Sequence, residues 1–152
     1  MTEKITNLEI GQVLNFIPPE LDGDHNSELK RRYMLIIDND IEKNTIKLLN
    51  ISKIKGKERK MIYSSNLPMK EDYYPFTQPS FVKLKTTYEI ENFGELSNYI
   101  SYKGEKVTKQ QFETIIQEKQ KYSDKHKDCN TIIIEKEEFF KINMKTNLMY
   151  NS

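Results

Sequence analysis

The stretch Arg32-Tyr33-Met34-Leu35-Ile36-Ile37-Asp38-Asn39-Asp40 carries a continuous apolar run, residues 33–37, closed by three turn formers. A run this short, without polar alternation and bounded by turn residues, is the pattern of a central strand buried on both faces. After the turn-prone Lys43-Asn44, Ile46-Lys47-Leu48-Leu49-Asn50-Ile51-Ser52 supplies its hairpin partner. Upstream, Ile10, Val13, Leu14, Phe16 and Ile17 alternate in part and stop at Pro18-Pro19, which cannot continue a hydrogen-bonded ladder. A first strand therefore precedes a long polar loop over residues 18–29, dense in turn formers at Asp22-Gly23-Asp24-His25-Asn26-Ser27.

Downstream, Gly56 marks a turn and Met61-Ile62-Tyr63 a short strand. Residues 64–79, broken by Pro68, Pro75 and Pro79, read as a loop with one turn of helix at most. Phe81-Val82-Lys83-Leu84-Lys85-Thr86-Thr87-Tyr88-Glu89-Ile90 alternates and is rich in β-favouring residues. About five short strands separated by turns indicate a small barrel or a strongly curved sheet. Thr108-Lys109-Gln110-Gln111 then reads as a capping box, with Val107 placed to staple onto Phe112. Phe112, Ile115, Ile116 and Tyr122 recur at helical spacing, so a helix over 108–124 is expected to pack on the sheet. Two organisational units follow: residues 1–126 as the β domain with its helix, and 127–152 as a C-terminal extension. Its Ile132-Ile133-Ile134 and Phe139-Phe140 suit either an added strand and short helix or a segment that docks on a partner.

The whole chain has 152 residues, 36% hydrophobic and 31% charged, enough for one core. No apolar run approaches the roughly 18–20 residues that span a bilayer, and the N-terminus leads into no signal-like stretch, so a cytoplasmic protein with no membrane partner is expected. The single cysteine, Cys129, fits a reducing compartment. A net charge of +1 hides segregation: residues 1–28 carry one basic against six acidic side chains, and residues 29–70 carry eleven against four. Clustered on one face, that middle segment would attract a polyphosphate by counterion release.

Most catalytic templates are missing. The chain has no GxxxxGK[ST], GxGxxG, GxSxG, HExxH or CxxC, and Asp38, Asp40 and Glu42 lack the other ligands of a calcium loop. Neither a metal nor a cofactor is expected. What remains is a basic constellation: His25 in the polar loop, Lys30-Arg31-Arg32 at the mouth of the second strand, and Ser52 at the end of the third. Cleaving RNA without a metal requires taking the 2′-hydroxyl proton, stabilising a phosphorane-like transition state and protonating the leaving oxygen. A guanidinium offers a rigid, permanently charged donor fork for the phosphate, and an imidazole titrates near neutrality.

Over residues 10–117 the order of elements resembles the MazF/PemK/Kid toxins, small SH3-like barrels. Gly11-Gln12-Val13 is similar to the family's opening Gly-Asp-[Ile/Val], and Gly23-Asp24-His25-Asn26 to a Gly-His-Glu stretch found in some members. Residues 32–40 resemble the Arg-Pro core strand and its turn, and Leu49-Asn50-Ile51-Ser52 the strand that ends in Ile-Thr. Residues 80–90 and the capped helix at Thr108 follow in family order. The resemblance implies a metal-independent endoribonuclease toxin, homodimeric, acting on single-stranded RNA and silenced by a cognate antitoxin protein. On this basis Arg32 would stabilise the transition state with help from Arg31. Ser52 would bond a phosphate oxygen, His25 would serve as acid or base, and Lys30, Lys53, Lys55, Lys83 and Lys85 would hold RNA. The departures are Tyr33 for the proline, Ser52 for the threonine, and Lys83 and Lys85 where members carry an Arg and an Asp. The alternative is a catalytically degenerate SH3-like module from a phage or mobile element that binds RNA or a protein.

Overall fold

The computed structural model describes residues 8–19 and 30–151. Seven strands form one sheet: β1 (Val13–Phe16), β2 (Arg32–Asp40), β3 (Thr45–Lys53), β4 (Asn66–Met69), β5 (Ser80–Lys83), β6 (Thr86–Glu91) and β7 (Asn130–Ile134). Two helices complete it, α1 (Lys109–Lys125) and α2 (Lys136–Asn151). The chain is mainly β with a helix at its C-terminal end. β2 and β3 form the expected hairpin, Asp40 opposite Thr45, with Asn44 at φ 55° in the left-handed region that asparagine tolerates better than most residues. A bulge between Ile36 and Asp38 bends β2.

β3 is the hub. One of its sides lies along β2, while its other side is divided, Thr45–Leu48 pairing with β6 and Ile51–Lys53 with β5. All pairings are antiparallel except β6 with β7, which run parallel across a connection that contains α1. β1 and β4 end the main path of the sheet.

Side-chain alternation explains the unbroken apolar run in β2. Met34 and Ile36 point into one core with Leu14, Phe16, Ile46, Leu48, Ile90 and Phe139. Leu35 points into a second with Val13, Leu49, Ile51, Val82 and Ile115. One core thus draws on α2 through Phe139, the other on α1 through Ile115, and a strand between two cores has no polar side to show. Phe139 is fully buried, with its ring 5.1 Å from Phe16, 5.3 Å from Phe93 and 5.1 Å from Tyr99, all edge-on. Asn143, one turn on, accepts from the Ile17 amide at 2.8 Å and donates to its carbonyl at 3.1 Å. Residues 127–143 are therefore built into the sheet and core rather than hanging from them.

Five local expectations change. Residues 81–90 are two strands, because the chain switches partner along β3 at Leu84-Lys85 while its alternation continues. Met61-Ile62-Tyr63 is not a strand: Glu58–Ile62 is a 3₁₀ turn, and Ile62 is 82% exposed. A strand, β4, lies inside the proline-rich segment, and its Pro68 is tolerated because β4 is an edge strand needing few donors. Thr108 caps α1 by accepting from Gln111 N–H at 3.1 Å, but the Gln111 side chain turns to the Asp72 carbonyl instead of closing the box. Ile115 and Tyr122 are buried and Phe112 partly so, whereas Ile116, about 120° around the helix from Tyr122, is exposed.

Candidate nucleic-acid site

The β2/β3 register sets Tyr33 opposite Ile51, which brings the next residues, Arg32 and Ser52, level on adjacent strands. Side chains so paired stand about 4.5–5.5 Å apart at Cβ on one face. Both residues line one cavity of about 340 Å³. Buried Asn50 donates to the Tyr33 carbonyl at 3.1 Å and ties the two strands together beside it.

Beyond β3 the chain reverses. The Lys57 amide bonds the Ile54 carbonyl at 2.7 Å, and Gly56 sits at φ 85°, the left-handed third position that a turn of this kind needs. The reversal carries Lys57 back over the strand it has just left, and its Nζ donates to Ser52 Oγ at 2.7 Å. Burial, followed by the nearby charges of Lys60, Arg32, Lys53 and Lys30, holds the Lys57 amine below the ordinary lysine range.

The other wall is aromatic. Tyr33 stacks on Tyr102 at 5.4 Å, and Phe76 meets both edge-on, at 5.9 Å from Tyr33 and 5.4 Å from Tyr102. Tyr33, 37% exposed, occupies the strand position directly beside Arg32. Tyr102 has a backbone φ of 53°, and burial, then a hydrogen bond with Tyr33, push its phenol above the ordinary tyrosine range.

Arg32 completes the site. Its Nε is buried and has no hydrogen-bond partner among the described residues. A buried donor left unmade costs about 1–3 kcal/mol or more when charged, a penalty that an oxyanion in the cavity would relieve. The described residues lining the cavity include Arg31, Arg32, Lys53 and Lys57 but no carboxylate. This donor set suits a phosphate and offers a cation nothing.

The expected site residues divide. Arg31, Arg32, Ser52 and Lys53 line the cavity, and Lys30 is close enough to act on Lys57 electrostatically. Lys55 is exposed at the turn and does not line it. Lys83 and Lys85 line a different, smaller cavity of about 130 Å³ with Asn50, Asn66 and Thr86, and Lys85 lies 3.9 Å from Asp128. The separation follows from strand direction: Ser80 pairs with Lys53 at the first cavity, and Lys83, three residues and about 10 Å along β5, pairs with Asn66. His25 lies outside the described residues. Lys57, Tyr102 and Gln78 were not foreseen, and the turn signal at Gly56 is the one sequence cue to Lys57. No protein-family model matches this chain, and no curated protein matches it. Among the described residues no helix is long and apolar enough to cross a membrane.

Proposed function

We propose that the chain is a metal-independent endoribonuclease of the MazF/PemK/Kid kind, an SH3-like toxin. It acts in the cytoplasm as a homodimer on single-stranded RNA and is restrained by an antitoxin protein. The observation that carries this reading is Arg32: level with Ser52 in a cationic cavity, it holds a buried Nε without a partner among the described residues. In the reaction Arg32, assisted by Arg31, neutralises charge growing on the phosphorane-like transition state, and Ser52 bonds a phosphate oxygen. The rings of Tyr33 and Tyr102 in the same wall add apolar surface suited to an unpaired base.

Incubating the purified protein with a long RNA in EDTA tests the reading. Fragments ending in 2′,3′-cyclic phosphate are expected, and Arg32→Ala should cut about 10²–10³-fold more slowly. Intact RNA, or equal cutting by the variant, ends the proposal. The absence of a carboxylate from the described lining favours one other reading, a degenerate module that binds RNA or a protein without cutting. Under it the same RNA is retarded on a gel but stays whole.

A further inference from the structure

We infer that the Lys57 side-chain amine is the proton acceptor of this cavity, taking the ribose 2′-hydroxyl proton as that oxygen attacks the neighbouring phosphorus. The inference rests on the ribonuclease reading above. Its first support is geometric. The turn at Gly56 places Nζ 2.7 Å from Ser52 Oγ, and Ser52 stands level with Arg32. A phosphate oxygen bonded by Ser52 and Arg32 is thereby brought next to the amine, and the serine hydroxyl fixes where the amine points.

The second support is the choice of groups. A proton acceptor must reach its neutral form near the working pH. A guanidinium has no lone pair to offer as a base, and the Tyr102 phenol is pushed the wrong way for a donor that must ionise. Around Lys57, Lys60 on the following 3₁₀ turn, Arg32 on β2, Lys53 on β3 and Lys30 before β2 all disfavour a further positive charge. Tyr33 and Arg31 complete the titratable lining, with no carboxylate among the described residues to hold the ammonium form.

The step balances. The O2′–P bond forms as the P–O5′ bond breaks, the O2′ proton passes to Nζ, and the departing O5′ takes a proton from water. The ammonium then returns its proton to solvent.

Single-turnover cleavage of a labelled RNA in EDTA, measured against pH, tests this. The wild-type rate should rise with pH and level off below the ordinary lysine range. Lys57→Arg keeps the charge but not the base. It should bind RNA nearly as well by fluorescence anisotropy, cut about 10²–10⁴-fold more slowly and lose the pH limb. Added methylamine should restore part of the activity of Lys57→Ala and none of that of Arg32→Ala. A wild-type pH limb in Lys57→Arg, or no rescue of Lys57→Ala by the amine, overturns the inference while cutting by the wild type preserves the nuclease reading. A wild-type protein that leaves RNA whole removes both.

Discussion

At its N-terminal end β3 pairs with β6, and Ile46 and Leu48 share a core with Phe139 of α2. At its C-terminal end the same strand pairs with β5 and opens onto a cavity lined by Arg31, Arg32, Lys53 and Lys57. The helix that packs on this core satisfies groups far away in the chain: Asn143 of α2 bonds both the amide and the carbonyl of Ile17. The cavity leaves Arg32 Nε without a partner among the described residues and gathers like charges around one lysine. The difference teaches where stability is made and where it is given up. A folded chain tolerates an unsatisfied, cationic pocket only when it is over-determined elsewhere.

That contrast can be broken most strongly at Phe139. Phe139→Ala empties a fully buried site touched by four aromatic rings and should cost about 3–5 kcal/mol, read from urea unfolding. A loss below 1 kcal/mol would show that the aromatic end does not anchor the fold. Next in size, Asn143→Ala strands two backbone groups of Ile17 and should cost about 2–3 kcal/mol by the same measurement. Both variants, once folded, should bind RNA as the wild type does, since neither residue lines the cavity.

The smallest effect sharpens the comparison from the other end. The folded chain holds the Lys57 amine below its usual range, so the unfolded chain binds that proton more tightly. Stability should therefore rise as pH climbs toward the ordinary lysine value of about 10.4. Lys57→Met removes the burden. Its Tm should exceed the wild type's at pH 7, with the gain shrinking by pH 10. A variant that melts lower at pH 7 would mean that the bond to Ser52 outweighs the crowding of charge.

Residues 33–37 were legible because two covered faces leave a strand no polar side, and the register that follows from the hairpin brought Arg32 to Ser52. The division of residues 81–90 was not legible, since the alternation runs on through Leu84-Lys85 while the hydrogen-bonding partner changes. Proline argued against β4, yet an edge strand has donors to spare. Lys83 and Lys85 entered the basic set through the resemblance, at positions where the toxins carry an Arg and an Asp, but strand direction carries them away from the cavity. Lys57 was hidden for the opposite reason: its approach to Ser52 depends on a single glycine reversing the chain, and no periodicity records that.

The clasp between Ile17 and Asn143 joins residues 126 positions apart. At a synthesis rate of about 5–20 residues per second, roughly 6–25 s separate the emergence of its two halves from the ribosome. The cavity residues, 31–102, are all translated before β7 and α2 arrive to cover β6 and complete the core. A nascent chain thus exposes the bare edge of β6 until β7 is made, and ribosome stalling ahead of Asn143 would release a polypeptide that holds the pocket's residues without the clamp that steadies them.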